Sequence, residues 1–328
     1  MEGGTTLVAL DPIAQAIVDA MSAQFPDLGG RVTDASTARA TLAAAPRPPA
    51  PDVPLRRVED RQVTVPGAPP IPVRVYWPNQ DGPLPAIVFF HGGGFVLSSV
   101  DGHDAFARKL AIGADAVVVS VEYRLAPEHR YPAAVEDAVA ATAWMFDNAG
   151  ELGIDPARIA VAGDSAGGNL AAVVCLTARD HGGPPLAAQV LIYPVLDARQ
   201  DSDSHRRNAT GYFLTSAHMK WFWEQYLDGA DPDHPDVSPV RASDLTGLPP
   251  AVIVVAEHDV LADDGRFYAA LLSEAHNDVE LLDYRGMFHG FFGLVAQLPT
   301  AQQANNDVFT ALKRLWATKA VAVQPDLS

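Results

Sequence analysis

Five stretches of this chain run apolar almost without a break: "AIVFF" at 86–90, "AVVVSVEY" at 116–123, "RIAVAG" at 158–163, "AQVLIYP" at 188–194 and "AVIVVA" at 251–256. A strand with one wet face alternates apolar and polar residues, whereas a strand covered on both faces does not. Helical stretches at 101–113, 132–149 and 166–180 separate most of these runs. Alternating strand and helix imply a mostly parallel sheet with helices on both faces. Two alternating segments, "RQVTVPG" at 61–67 and "IPVRVYW" at 71–77, read as a hairpin of half-buried strands ahead of the runs. "DVELLDY" at 278–284 reads as one more strand before a last helix near 301–317. The expected fold is α/β with an eight-stranded sheet. A chain of 328 residues that is 48% hydrophobic and 19% charged has ample apolar material for its core.

Two regions do not fit the strand and helix alternation. Residues 1–45 carry one amphipathic helical pattern, "DPIAQAIVDAMSAQF", with Asp11 as N-cap and Pro12 at the first helical position. The proline-rich "APRPPAPDVP" at 45–54 then reads as a stiff connector. More than fifty residues separate "AQVLIYPVLD" from "AVIVVA", too many for an ordinary connection. This insert, about 198–247, holds the aromatic helical candidate "GYFLTSAHMKWFWEQYL" and the loop-like "DGADPDHPDVSP". Both regions are expected to form a helical cap over one end of the sheet.

The chemistry gathers where buried runs end. "AVAGDSAGGN" at 160–169 breaks an apolar run at Gly163, presents Asp164 and Ser165, and resumes as a helix. The spacing Gly163, Ser165, Gly167 fits a nucleophile elbow, a strand-to-helix turn that exposes a serine hydroxyl. A serine at neutral pH needs a base, an acid to orient the base, and donors for the oxyanion. "FFHGGGF" at 89–95 sets three glycines directly after a strand, so backbone N–H groups there, with that of Ala166, can serve as donors. A phosphate cradle is the rival for this loop, but no Lys/Ser pair follows the glycines. Among ten histidines, His181, His205, His234 and His276 lie in polar stretches expected to be exposed, and His103, His129 and His218 lie in or beside helices. His91 and His258 sit at strand ends, where a structural hydrogen bond is the commoner fate, which leaves His289 in "RGMFHGFF", just after the last strand. For the acid, Asp259 follows a buried strand, with Asp197 at the end of the preceding strand as competitor. Asp263 and Asp264 read as carboxylates in the first turn of a helix, and Asp164 as a turn carboxylate with no catalytic role.

Composition removes several classes. A formal charge of -17, with 40 acidic against 23 basic side chains, opposes binding to nucleic acid or anionic lipid, and no Lys/Arg cluster reverses it locally. Cys175 is the only cysteine, so an internal disulfide and a thiolate metal cluster are both excluded, and "LAAVVCLTA" makes it a buried small hydrophobe. No apolar run is long enough to span a bilayer and no secretory signal pattern opens the chain. Cytoplasmic location without stable membrane association is the expectation, and a homodimer stays open.

"HGGGF", "VEYRLAPEHRYPAAVED", "GDSAGGNLA", "GLPPAVIVVAEHDVLADDGRFYA" and "GMFHGF" together resemble the bacterial hormone-sensitive lipase family, also called microbial esterase family IV, of α/β-hydrolases. The five segments stand in family order over roughly residues 55–295. The resemblance implies an α/β-hydrolase catalytic domain, set at 46–320 with the cap insert in it, while residues 1–45, read above as a cap segment, and the insert match the family only loosely. It implies Ser165 as nucleophile, Asp259 as acid, His289 as base, and an oxyanion hole from Gly93, Gly94 and Ala166. One departure is Val260, which stands after the acid where the family usually has proline, a change in loop stiffness that leaves the carboxylate in place.

The implied activity is hydrolysis of a small carboxylic ester through an acyl-enzyme, with neither metal nor organic cofactor. A plant gibberellin receptor-like binding protein of the same fold is the alternative from another class, and His289, which those receptors lack, argues against it. An amidase or transacylase using the same three residues differs only in leaving group. Tyr212, Phe213, Trp221, Phe222 and Trp223 in the insert, with Phe95, are candidates for an enclosed apolar pocket that would favour acyl chains of about two to eight carbons. Cap packing alone is expected to account for at least half of the five.

Overall fold

The computed structural model describes residues 9–44, 54–65 and 67–322. The chain opens with helices α1 (Pro12–Gln24) and α2 (Ala35–Ala44). It then enters strands β1 (Arg57–Val63), β2 (Ile71–Trp77) and β3 (Leu84–Phe90). Helix α3 (Asp104–Ala114), strand β4 (Val117–Val121), helices α4 (Ala133–Asp147) and α5 (Ala149–Leu152), and strand β5 (Ile154–Asp164) follow. Helix α6 (Ala166–Asp180) leads into β6 (Ala188–Ile192), after which the insert carries α7 (Asp203–Arg207) and α8 (Ser216–Leu227). Strand β7 (Ala251–His258), helix α9 (Ala262–Glu274), strand β8 (Val279–Phe288) and helix α10 (Pro299–Ala322) complete it.

The eight strands form one sheet in the order β1-β2-β4-β3-β5-β6-β7-β8. Pairing is antiparallel at β1-β2 and β2-β4 and parallel from β4 through to β8. The unbroken apolar runs are explained by where their residues go. In β7, Ala251, Ile253 and Val255 enter one core, and Val252, Val254 and Ala256 enter the other. In β3, Val88 and Phe90 face the first core, and Ile87 and Phe89 the second. The first core is closed by α4, α6 and α9, the second by α3, α10 and α1. Fully burying side chains of this size stabilises the fold by about 1.5–3 kcal/mol each, so both faces must be covered.

Asp11 caps α1, its Oδ1 accepting the N–H of Ile13 at 2.8 Å, with Pro12 at the first helical position. The amino-terminal segment holds two helices rather than the one expected. α2 is a run of Ala, Ser and Thr without a strong apolar stripe, and its start is fixed by Asp34, whose carboxylate accepts Ser36 Oγ and Thr37 N–H. The hairpin of β1 and β2 is present, but β1 begins at Arg57 and ends at Val63, earlier than the alternation suggested. In the insert the helix starts only at Ser216, where the Thr215 side chain accepts the N–H of His218. The proline connector lies, apart from its last residue, outside the described residues. Cys175 is buried in α6, as expected. No helix among the described residues is long and apolar enough to cross a membrane.

Candidate active site

Ser165 is the single residue between β5 and α6, and it takes φ 54 and ψ -116, a region that costs a non-glycine residue about 1–3 kcal/mol. Its surroundings hold it there. The Ser165 N–H donates to the Ile192 carbonyl on the neighbouring strand at 2.9 Å, and its own carbonyl accepts from Asn169 and Val195. A Cβ on Gly163 would run into the carbonyl of Gly167, and one on Gly167 into that of Phe90. The flanking glycines therefore let the helix start lie directly on the sheet edge, which turns the serine outward.

Three side chains distant in sequence meet at this point. His289 Nε2 lies 3.1 Å from Ser165 Oγ, and His289 Nδ1 lies 2.6 Å from Asp259 Oδ2. Asp259 is almost wholly buried, and its other oxygen accepts the N–H of Leu261 at 2.9 Å. The Tyr193 ring packs against the imidazole with centroids 4.6 Å apart. Asp197 is not at this site: its carboxylate is paired with Arg241 and accepts the Arg199 N–H.

The glycine loop after β3 faces the serine. The Gly92 N–H donates to Asp164 Oδ1 at 2.8 Å, while no acceptor among the described residues takes the N–H of Gly93 or Gly94. Asp164 thus bonds backbone 72 residues away rather than its own turn, and it anchors the loop to the elbow. Burial pushes its carboxyl upward, but the charge and hydrogen bond of His103, 3.2 Å away, and the Gly92 N–H outweigh this and hold it below the usual carboxylate range. His91, at the strand end, bonds the Gly92 carbonyl through Nδ1 and is pushed down to about 3 by burial and by the neighbouring His103. It is a neutral, structural histidine.

The acid is held from the cap, by residues that sequence reasoning did not single out. Asn208, fully buried just after α7, donates through Nδ2 to the carbonyls of Asp259 at 2.8 Å and Glu257 at 3.1 Å. Ser204 in α7 donates from Oγ to the Val260 carbonyl at 2.6 Å and accepts the Asp263 N–H. Val260, where the family pattern has proline, therefore sits in a loop clamped on both sides of its peptide. His205, in a stretch expected to be exposed, is buried between Ser202 and Asp264. Asp264 lies in the first turn of α9, but its carboxylate is buried and accepts the N–H groups of Leu196 and Asp197. Burial is the main reason its carboxyl is raised well above the ordinary value.

A cavity of about 490 Å³ opens over Ser165. Its wall includes Phe95, Phe213, Phe222 and Trp223, whereas Trp221 and Tyr212 do not line it. Trp221 donates to the Thr33 carbonyl, which packs α8 against the amino-terminal segment, and Tyr212 stacks on His258. Leu42 and Arg39 of α2 close another side. Arg39 fastens that helix to the sheet edge through the carbonyls of Val96 and Ala126 and both oxygens of Glu128.

Residues 87–293 match the alpha/beta hydrolase fold family. The chain is 45% identical over 311 residues to carboxylesterase NlhH of Mycobacterium tuberculosis, covering 93% of this chain and 96% of that one. It is 38% identical over 264 residues to an ethyl acetate hydrolase of Pseudomonas putida, covering 78% and 82% of the two chains. Among solved structures it resembles the hyperthermophilic esterase of the archaeon Pyrobaculum calidifontis, with 40% identity, a TM-score of 0.86, and coverage of 97% of this chain and 100% of that one.

Proposed function

The chain belongs to the α/β-hydrolase fold family, among its bacterial hormone-sensitive lipase-like carboxylesterases, and from that premise we propose that Ser165, His289 and Asp259 hydrolyse esters through an acyl-enzyme. The observation that carries this reading is the unbroken line of contacts from Ser165 Oγ through both nitrogens of His289 to Asp259 Oδ2. His289 Nε2 takes the serine proton as Oγ attacks the ester carbonyl. Asp259 fixes the tautomer that leaves Nε2 free and steadies the imidazolium that forms. The N–H groups of Gly93, Gly94 and Ala166 receive the negative charge on the carbonyl oxygen. Collapse of the tetrahedral intermediate passes the proton from His289 to the leaving alkoxide and leaves the acyl group on Ser165. Water, deprotonated by the same imidazole, then releases the acid. This chemistry asks for no metal or cofactor.

The described amino-terminal residues 9–44 and about 198–247 act as the cap, which excludes water and supplies the pocket wall. A walled cavity of about 490 Å³ suits small soluble esters rather than lipid at an interface. The similarity to a protein named for ethyl acetate hydrolysis supports short acyl groups. Efficiency should rise by roughly 0.8 kcal/mol per methylene until the pocket is full and then fall, with a best acyl length of about two to eight carbons. A series of p-nitrophenyl esters tests this beside Ser165→Ala, which should lose at least about a thousandfold in kcat while keeping its fold. Highest efficiency on palmitate, or near-normal turnover in Ser165→Ala, would overturn the reading.

A further inference from the structure

The catalytic cavity shares a wall with a second one of about 280 Å³. His103, Asp164, Tyr193 and Gly290 line both. Behind them the second cavity is bounded by Phe106, Phe292, Lys109 and Asn305, and the last two also line a groove between α3 and α10 on the outer surface. The second cavity therefore lies between the space over Ser165 and the groove between α3 and α10, sharing lining residues with each.

Charge singles out this cavity. The sequence has 40 acidic side chains against 23 basic ones. Among the described side chains every other arginine and lysine lies within 4.0 Å of a carboxylate, and Lys109 alone does not. Lys109 is half-buried, and burial lowers its ammonium from the ordinary value because nothing offsets the lost water. Tyr193 is 4% exposed, and its hydroxyl has no hydrogen-bond partner among the described residues. Burial first, then the charges of Asp164 and Asp259, raise its phenol well above the ordinary value, so it remains a donor. Asp164 is the one carboxylate on the wall, and it is already engaged by the Gly92 N–H and His103. The cavity thus offers an unpaired cation and an unused donor beside the short apolar surface of Phe106 and Phe292.

We propose that this second cavity binds a short-chain carboxylate, with Lys109 as its counter-charge and Tyr193 as a hydrogen-bond donor. It rests on the ester-hydrolase reading for the source of that ligand: the acid product formed across the shared wall, or a free carboxylate borne by the ester itself. Binding needs no turnover, so it is measured separately from activity. Sodium butyrate is titrated into the full-length protein at constant ionic strength and followed by ligand-observed NMR, for wild type, Lys109→Gln and Lys109→Arg. Saturable binding is expected in wild type, about tenfold weaker in Lys109→Gln and kept in Lys109→Arg, because a charge-assisted contact is lost in one and retained in the other. The kcat/KM for p-nitrophenyl butyrate should stay within about twofold in both variants, since Lys109 lies outside the reacting groups. Monoethyl succinate against diethyl succinate separates the two sources. A rise in KM for the half-ester alone in Lys109→Gln, with butyrate binding unaltered, assigns the site to substrate carboxylates. Butyrate binding that is equal in wild type and Lys109→Gln, or absent up to about 100 mM, together with unchanged KM for the half-ester, overturns the proposal. A protein that binds butyrate through Lys109 yet hydrolyses no ester would instead overturn only the catalytic reading.

Discussion

The serine half of the site and the acid half are built by different means. Ser165 is held by backbone hydrogen bonds to adjoining strand and helix and by glycines that let chain segments touch. The end of β7 and the acid loop after it are held by side chains of the cap, with Asn208 and Ser204 donating to the carbonyls of Glu257, Asp259 and Val260. The two halves should therefore tolerate substitution in different places. The serine half depends on local geometry inside the sheet, whereas the acid half depends on a cap element reaching across from about fifty residues earlier in the chain.

Asp259→Asn attacks the acid half at its centre and should have the largest effect, a loss of about 10³–10⁴ in kcat, because an amide favours the wrong tautomer of His289. Asp197→Asn should cost activity little by comparison, since Asp197 pairs with Arg241 away from the imidazole. Steady-state rates of the two variants side by side check the assignment, and a greater loss in Asp197→Asn would reverse it.

Asn208→Leu tests the clamp one layer out. It removes the hydrogen bonds that Asn208 donates to the carbonyls of Glu257 and Asp259, at a cost of about 1–3 kcal/mol. If the loop relaxes as the comparison implies, kcat drops about tenfold or more with KM nearly unchanged, by loss of contacts that matter in the transition state. A fall in denaturation midpoint with kcat intact would show that the clamp serves stability alone.

The smallest effect is expected on the serine side, from Asp164→Asn. The amide oxygen can still accept the Gly92 N–H, so kcat should change only a few-fold, about 1 kcal/mol or less. Stability responds to pH instead. The Asp164 carboxyl is held below the ordinary range, so the stability it lends is present above an unfolded value of about 3.9 and is lost as pH falls through the lower folded value. Wild type should melt above the variant at neutral pH, and the gap should close in strong acid. A gap that widens on acidification would contradict the assigned direction.

The same contrast explains what could be read from the chain itself. The elbow and the glycine loop each sit next to a continuous apolar run, and His289 follows the last strand, so local pattern is enough to find them and their strand ends. Five of the eight strands are legible for that reason, β1 and β2 by alternation instead, and β8 by its place before the last helix. Asn208 and Ser204 lie in a polar stretch that looks like any loop, and only the folded chain brings them to the acid. His205 stands in the same kind of polar stretch and is nevertheless buried. α2 is not legible in the sequence because its small residues carry almost no periodic signal. The aromatics of α8 were visible as a group, but which of them face the cavity depends on the helix's packing against the amino-terminal segment, as Trp221 shows through its bond to Thr33.

Ser165 is proposed as the group activated by His289 and Asp259. That role is tested most directly by exposing the wild-type protein to a fluorophosphonate ester probe and mapping the adduct by mass spectrometry of its peptides. One adduct is expected, on Ser165, formed in step with the loss of ester hydrolysis and formed far more slowly in Asp259→Asn. An adduct on another residue with activity lost, or full hydrolysis surviving complete modification of Ser165, would contradict it.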